Sequence, residues 1–507
     1  MNSTPTAALD TGPLPAAAAA SKRPLAGLAG IFLAAMMAGL NSRVGALALV
    51  DLRGALGFDA DAASWLSTAY AAGELIAMPF AAWFALTLSM RRFELWMLGL
   101  CVALAAVLPF VRDLQLLLVL RFTQGIAGGA LIPPLMMAAL KFLPPRIRLH
   151  GLALYAMTAT FAPNVAIGLA GYWVDGWHDW RWLYWQIVPL AAVAAALVGW
   201  GLPREPIQRA RFREANWPSM ACGVIALGLI ALALDQGVRL DWFESRLVTA
   251  AFVVGGAFLA VYLLSEWYHP APFIKLQILG RRNLLLGFVA FVVLLVVLMS
   301  GTLLPASQLG PLQQYRALQL APTGLAIALP QLVLGFCVAL LLYRKWADPR
   351  GVFALGLVLI ALACFSGAGV NANWHRDQYA LTQTLHAFGQ PLAIVSMLFL
   401  ITGVVQPQEG PYVSGAINTL RAFGSILGAA LTTQLMAVRG RFHAEALLDQ
   451  AALRANVVPQ ALDAGALASG IGQQAAVLAV ADAYRVLGLL ALLLIPLVLQ
   501  MNRVNPP

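Results

Sequence analysis

Long apolar segments of about 20 residues recur along the whole chain. A helix of that length crosses the roughly 30 Å hydrocarbon layer of a bilayer, whereas a surface helix of a soluble protein places apolar residues about every 3.6 positions. The composition agrees, since 61% of the 507 residues are hydrophobic and 11% are charged. The chain is therefore predicted to fold as an all-α membrane protein with lipid as its main solvent.

Fourteen apolar segments are predicted to cross the bilayer. They cover residues 25–50, 63–85, 94–112, 114–140, 149–174, 182–202, 217–235, 247–265, 283–309, 318–343, 351–370, 380–404, 411–438 and 477–501. Only Asp113 separates the third segment from the fourth, so a tight turn is expected there. Lys and Arg are more frequent in the loops on one side, which is predicted to be cytoplasmic and to hold both termini.

The formal net charge is +10, but the basic residues stand in short clusters at the ends of apolar segments. This placement is typical of a topology signal, so no nucleic-acid partner is predicted. The cysteines lie inside predicted spans without CxxC or Cys/His spacing, which favours small core residues over metal ligands or disulfides. They are Cys101, Cys222, Cys337 and Cys364.

The chain contains no HExxH, GxSxG or GxxxxGK[ST] pattern. An intramembrane enzyme and an ATP-driven pump are therefore disfavoured, because each needs such a motif for its chemistry. A channel is disfavoured as well, since we find no repeated filter sequence. The remaining energy source is a gradient or another subunit.

The fourth predicted span carries an arginine and a glutamine one helical turn apart, followed by closely spaced glycines. It reads Leu120-Arg121-Phe122-Thr123-Gln124-Gly125-Ile126-Ala127-Gly128-Gly129-Ala130. This segment resembles the fourth-helix motif of drug:proton antiporters of the major facilitator superfamily. An arginine this deep in an apolar span is costly unless it faces a wet cavity or an acidic partner, and glycines let helices approach closely. Arg121 and Gln124 are therefore predicted site residues, and Gly125, Gly128 and Gly129 are predicted to serve gating or packing.

Further segments resemble the fourteen-helix EmrB/QacA-type subfamily in particular. They are the fifth-span residues Pro163, Gly168 and Gly171, the following Trp180-Arg181-Trp182-Leu183-Tyr184 with Pro189, and the segment from Gly415 to Gly428, in which Arg421 precedes spaced glycines. The resemblance implies a major facilitator fold with fourteen transmembrane helices, made of two six-helix halves and two inserted helices. Pro163, Gly168 and Gly171 are assigned a gating or packing role on the same basis.

The resemblance also implies a division of the chain into parts. Residues 1–24 would form a cytoplasmic tail, 25–202 the N-terminal six-helix bundle, 203–282 the inserted helices with their linkers, and 283–507 the C-terminal six-helix bundle. The last part includes a long outside loop at 439–476, in which a short amphipathic helix is expected. That loop is predicted either to be solvated or interfacial, or to dock a periplasmic partner.

The chain departs from the family pattern in its first two spans. Asn41 stands where the first helix usually has an acidic residue, and Arg43 follows it. The loop after the second span keeps only the final basic residues of its usual motif, Arg91 and Arg92. The fold therefore follows from the resemblance more directly than ion coupling or direction does.

Glu74 is the only carboxylate near the middle of a predicted span. A carboxylate there can take up and release protons when burial and a nearby cation tune its affinity. We predict a proton-coupling or substrate-binding role, with a structural ion pair as the alternative. Arg43 or Arg121 is predicted to pair with ionised Glu74, and protonation would release the pair and shift the inward/outward equilibrium.

Arg421 lies midway along the thirteenth predicted span, and Arg485 lies two turns into the last one. Arg421 is predicted either to face a cavity or to bridge helices, and Arg485 can reach the outer interface. If most deep arginines face the cavity, its positive charge favours an anionic or weak-acid solute. Neutral polar residues inside spans could bind solute or neighbouring helices. They are Gln124, Asn164, Gln331, His386, Gln390 and Asn418.

These features together predict a secondary active transporter, most directly a proton-coupled exporter of small amphipathic organic compounds or drugs in a bacterial inner membrane. The resemblance implies a proton gradient as energy source, with no cofactor and no metal. It also implies four partners, namely a small-molecule substrate, the lipid bilayer, a periplasmic adaptor protein and an outer-membrane channel. Two alternatives stay open, a proton-coupled uptake transporter and a non-transporting sensor or scaffold of the same fold.

Overall fold

The structure, a computed structural model, describes residues 23–47, 49–344, 346–453 and 464–504. The predicted tail 1–24 lies outside these ranges except for its last two residues. Helices α1 to α14 are, in chain order, Pro24–Leu47, Ala60–Leu88, Met90–Val107, Leu114–Leu131 with Pro133–Phe142, Pro145–Gly171, Trp182–Trp185 with Ile187–Gly201, Trp217–Gly237, Arg246–Tyr268, Arg282–Val297 with Met299–Gln313, Ala317–Leu342, Pro349–Gly367, Ala380–Thr402, Gly410–Leu453 and Ala464–Leu499. We call the end that holds the loop between α1 and α2 the predicted outer end.

Thirteen helices of the described chain are long and apolar enough to cross a membrane. The other helix of the bundle, α13, has 44 residues and packs against α2, α9 and α14. Its first turns contain Ser414, Asn418 and Arg421, which lower its apolarity. The predicted all-α membrane fold is confirmed, and the thirteenth predicted span, 411–438, lies in a helix that composition alone does not identify as membrane-spanning.

Three of the spans, α4, α6 and α9, are interrupted, and α6 breaks at Gln186. α4 breaks at Ile132, directly before Pro133, because proline has no N–H with which to continue the helical hydrogen bonds. α9 breaks at Leu298, where Gly301 N–H donates to Leu298 O at 3.2 Å and the Ser300 hydroxyl donates to Val297 O at 2.6 Å. The hydroxyl thus satisfies a backbone carbonyl at the break.

The two halves of the bundle meet along two pairs of helices. α5 of the first half packs along α10 of the second, and α2 packs along α13. Gly171 permits the first contact at the predicted outer end, because a Cβ there would lie 2.2 Å from Leu318 N. The inserted helices α7 and α8 pack on each other, and α7 also packs on α2, which places the inserted pair beside the first half.

The segment 439–476 was predicted as a long outside loop with a short amphipathic helix, and that helix is present as part of α13, but the described remainder is helical as well. α13 continues to Leu453 and α14 begins at Ala464, so the described part of this region is helical. A helix of 44 residues is about 66 Å long, more than twice the roughly 30 Å hydrocarbon layer. Alanine and leucine in the last turns of α13 favour helix, and Asp482 of α14 accepts from Arg439 at 2.6 Å and lies 2.8 Å from His443 Nε2. These contacts join two long helices into a hairpin.

Arg316 joins the two halves at the predicted outer end. It precedes α10, and its guanidinium lies 2.7 Å from Asp175 and 3.5 Å from Asp51, both in the first half. Asp175 also accepts from Leu318 N–H at 3.1 Å. Burial raises the pKa of Asp51 above its usual value, although the positive charge of Arg316 opposes the rise.

Arg281 and Glu409 form a bidentate ion pair at the opposite end, between the starts of α9 and α13. The two nitrogen–oxygen distances are 2.6 and 2.9 Å. Gln406 N–H also donates to Glu409 at 3.2 Å, and Lys275 Nζ lies 4.0 Å away. Burial acts to raise the pKa of Glu409, but the hydrogen bonds and charges of these neighbours outweigh it and hold the pKa below its usual value.

Glu409→Gln is expected to lower the free energy of unfolding in detergent by about 2 kcal/mol at neutral pH, because Arg281 loses its charged partner. Since the pKa of Glu409 is lowered in the folded protein, its contribution is fully present above the ordinary value of 4.5 and is lost as the pH falls through the folded-state pKa. Thermal unfolding over a pH series should therefore show the difference shrinking in acid. Glu214→Gln, at an exposed position, is the control. An equal loss in both variants at every pH would contradict the prediction.

Candidate functional site

A cavity of about 140 Å³ lies between the two halves of the bundle. Helices α1, α2, α4, α5 and α7 line it on one side, and α9 and α13 line it on the other. Its polar wall consists of Ser42, Arg43, Ser67, Tyr70, Glu74, Arg121, Thr158, Asp235, Arg421 and Ser425. The fold therefore brings the predicted residues Glu74, Arg43, Arg121 and Arg421 to one place, together with Pro163.

Glu74 of α2 faces this cavity, and the Ser42 hydroxyl donates to its Oε2 at 2.8 Å. The predicted ion pair of Glu74 with Arg43 or Arg121 is not found among the ion pairs of the described residues. The reason is the rotation of the helices, since Arg43 is directed to α13 and Arg121 to the next turn of its own helix. The carboxylate thus has a neutral hydrogen-bond donor as its direct partner.

Arg121 is buried without a carboxylate partner within the described chain. Its guanidinium donates to Gln124 Oε1 at 2.7 Å and lies 4.7 Å from the Tyr70 ring centroid and 5.7 Å from that of Tyr184. Aromatic faces attract cations when water is excluded. Asn41, at the family's acidic position, donates to the Tyr70 hydroxyl at 3.3 Å. Amide and aromatic groups therefore hold this charge, and Gln124 positions the guanidinium.

Arg43 and Arg421 both reach across the boundary between the halves. Arg43 of α1 donates to the Ser425 hydroxyl of α13. Arg421 of α13 donates to the Thr158 carbonyl at 2.9 Å and to its hydroxyl, on α5. Both alternatives predicted for Arg421 are therefore observed, because the side chain lines the cavity and also bridges two helices.

Asp235 is a second carboxylate of the cavity that sequence reasoning missed. It stands in the last turn of α7 and accepts a hydrogen bond from the Thr68 hydroxyl of α2. The sequence placed it at the end of an inserted span, where a charge is ordinary. Only the packing of α7 on α2 brings it to the cavity, so the cavity contains a carboxylate from a span end beside the mid-span Glu74 that the sequence predicted.

The glycines of the fourth-helix motif seat α4 directly on α2. A Cβ at Gly125 would lie 2.2 Å from Tyr70 O, and one at Gly129 would lie 2.5 Å from Glu74 O. Gly128 faces the Tyr70 hydroxyl in the same way, at 2.5 Å. This close contact fixes the segment of α2 that carries Glu74. Gly168, by contrast, leaves ordinary space, since its Cβ would lie 3.5 Å from Ala321.

A second layer of contacts closes the halves on the side of the cavity away from Arg316. The Tyr155 hydroxyl donates to Asn418 Oδ1 at 3.0 Å, and the Ser414 hydroxyl donates to Pro133 O at 2.7 Å. Both bonds join the first half to α13. The cavity therefore lies between this inner layer and the outer contacts of Arg316.

The remaining sequence candidates lie elsewhere. Arg485 is exposed and pairs with Asp482 at 2.8 Å, so it does not contribute to the charge of the cavity. Gln331 donates to Gln390 at 2.9 Å within the second half, where it links two helices. The four cysteines are free thiols.

A bundle of two helical halves with its charged site between them is the architecture of a secondary transporter. Residues 31–429 match the family model of the Major Facilitator Superfamily. The chain belongs to that superfamily, and it is a multi-pass membrane transporter and not an enzyme.

The curated relatives are consistent with the EmrB/QacA-type resemblance. The chain is 25% identical over 421 residues to the multidrug export protein EmrB of Escherichia coli strain K12, which covers 81% of this chain and 80% of that protein. It is 27% identical over 301 residues to the fatty acid resistance protein FarB of Neisseria gonorrhoeae, 58% of each chain. The crystal structure of the human organic anion transporter MFSD10 has the same fold, with a TM-score of 0.56, 13% identity and coverage of 92% of this chain and 99% of that one.

Proposed function

We propose that this chain is a proton-coupled exporter of small amphipathic organic compounds, with weak acids and anions among its substrates. The observation that carries the proposal is the position of Glu74, a carboxylate inside a cavity between the two halves, with Ser42 as its donor. A protonatable group at that boundary can bias the equilibrium between inward and outward states, because its two charge states interact differently with the arginines around it.

The charges of the cavity support the proposed substrate class. Three arginines face two carboxylates there, so an anionic group would meet a net positive wall. The name of the gonococcal relative refers to fatty acid resistance, and a fatty acid is an amphipathic weak acid. Export is supported by the name of the Escherichia coli relative.

The contact layers suggest how the cavity would alternate. At the predicted outer end, the ion pairs of Arg316 with Asp51 and Asp175 join the two halves. On the opposite side of the cavity, the hydrogen bonds of Tyr155 and Ser414 join them. Export would require the inner layer to open for loading and the outer layer to open for release.

We place the protein in a bacterial inner membrane with both termini cytoplasmic, and a periplasmic adaptor with an outer-membrane channel would complete the route. If that part is right, resistance to the exported compounds in expressing cells should be lost when the cells lack such a channel.

The decisive experiment compares cells with and without the protein. Accumulation of ethidium, 1-anilinonaphthalene-8-sulfonate and decanoate is measured at a mildly acidic and a mildly alkaline external pH. We expect lower accumulation of the two anions in expressing cells, with the larger difference at acidic pH. Higher accumulation would indicate uptake instead. No flux of any probe, in cells or in vesicles, would favour a sensor or scaffold.

A further inference from the structure

A buried polar stripe in the second half is formed by Tyr379, directly before α12, and by Gln383, His386 and Gln390 of α12. Their spacing of four, three and four places them on one helical face. All four are at most 2% exposed. A polar row of this length inside a membrane bundle is costly unless its groups find partners.

Each member of the stripe contacts the second segment of α9 or α10. Tyr379 donates to Gln308 Oε1 at 3.3 Å, Gln383 donates to Gly301 O at 3.2 Å, His386 Nε2 lies 3.3 Å from Ser300 Oγ, and Gln390 accepts from Gln331 at 2.9 Å. Gly301 lies against the stripe, since a Cβ there would be 3.2 Å from Gln390 Nε2 and 3.4 Å from His386 Cγ. The stripe therefore packs on the helix break at Leu298.

The network is incomplete in a way that helix packing alone does not explain. Four buried atoms have no hydrogen-bond partner among the residues that the structure describes, namely His386 Nδ1, Gln331 Oε1, Gln383 Oε1 and Asn164 Oδ1. A buried polar atom left without a partner is costly, because it has lost its hydrogen bonds to water. Water molecules between these amides and the imidazole would supply the missing hydrogen bonds. A row of such groups with water between them can carry a proton.

The inner end of the stripe opens toward the functional site. Gln390 and Asn164 line a cavity of about 50 Å³ together with Arg43, Thr302 and Ser425. That volume is sufficient for water, which needs roughly 10–15 Å³. Arg43 and Ser425 also line the central cavity. The outer end reaches the loop before α12, where Gln308 donates to Trp374 O at 3.3 Å.

We propose that the stripe is a proton path from the predicted outer end to the central cavity, with His386 as the group that binds the proton. His386 takes up one proton from the outer side and passes one to water beside Gln390, so the imidazole returns to its neutral form. No carboxylate of the described chain contacts it. The titratable groups around it are Tyr379, directly before α12, the Cys364 thiol of α11, which hydrogen-bonds Ser300, and Arg43 across the small cavity. The proposal rests on the proposed proton coupling and assigns the protons a route apart from the solute.

The first test asks whether His386 is reached by protons in the wild-type protein. Deuterium exchange at the imidazole C2 atom is followed by mass spectrometry in lipid nanodiscs, with the exposed His178 as reference. We expect His386 to exchange within about tenfold of His178, and Gln383→Leu to slow it by at least about tenfold, because the leucine removes the amide that carries water. Absence of exchange at His386 over the period in which His178 exchanges fully would overturn the proposal.

The second test uses His386→Gln in proteoliposomes, with His178→Gln as the matched control. We expect the pH-driven concentration of ethidium, 1-anilinonaphthalene-8-sulfonate or decanoate to fall at least about tenfold in His386→Gln, while exchange of the same probe across the membrane without a gradient stays within about twofold of the wild type. If His386 had only a structural role, His386→Gln would lower the pH-driven concentration of the probe and its exchange without a gradient together. Wild-type pH-driven concentration of the probe by His386→Gln would overturn the proposal. Failure of the proposed function is distinguishable, since the wild-type protein itself would then show no response to the pH gradient.

Discussion

Glu74→Gln is expected to abolish proton-driven transport, with a fall of at least about tenfold, because the pH gradient then loses the Glu74 carboxylate through which it would bias the two states. Glutamine keeps an oxygen that accepts from the Ser42 hydroxyl, so the substitution removes the charge change and leaves the hydrogen bond. The measurement is the initial rate of probe movement into proteoliposomes under an imposed pH gradient. Exchange of the probe without a gradient should stay near the wild-type rate.

Asp61→Asn is the matched control for Glu74→Gln. It removes a carboxylate from the same helix, but that side chain is exposed at the predicted outer end and pairs with Arg239. We expect transport within about twofold of the wild type, since exposed ion pairs contribute little. Undiminished proton-driven transport by Glu74→Gln would assign the coupling to another group, and Asp235 is the next carboxylate of the cavity.

Gly125→Ala is expected to destabilise the protein by about 3 kcal/mol, the upper end of the cost of overpacking. The added Cβ would lie 2.2 Å from Tyr70 O, and backbone cannot yield as a flexible side chain does. α4 would have to move away from α2, which carries Glu74. Thermal unfolding in detergent and the fraction of monodisperse protein after purification both report this effect.

Gly99→Ala gives the control, because Gly99 of α3 is exposed and a Cβ there meets no atom within 4 Å. Its unfolding should stay within about 0.5 kcal/mol of the wild type. If Gly125→Ala unfolds like Gly99→Ala, the close seating of α4 on α2 is not what holds these helices together.

A close helix contact at the glycines of α4 was readable from the sequence, whereas its partner α2 was not. Glycines at close spacing inside an apolar span mark a helix contact, since only they permit backbone approach. The location of Glu74 and Arg121 at a cavity between the two halves was readable for a related reason. Lipid penalises a charge so strongly that deep ionisable residues collect where water or a ligand can reach them.

The pairing of these charges was not readable. The expected partner of Glu74 was Arg43 or Arg121, and the partner in the structure is Ser42. Residues 42 and 43 are neighbours in sequence, but they point in directions about 100° apart on the helix. Which of them meets α2 is decided by the rotation of α1 about its axis, and that rotation depends on every contact of the helix.

Thirteen of the fourteen predicted spans, the lipid environment and the close helix packing at the glycines of α4 are thus determined by the sequence itself, because each depends on the hydropathy or size of residues within one helix. Tertiary structure decided what depends on two helices at once. Asp235 reaches the cavity only through the packing of α7 on α2, and the predicted loop at 439–476 is helical where Asp482 of α14 binds Arg439 and His443 of α13. A distance between side chains on different helices has no counterpart in local hydropathy, so only the packed bundle supplies it.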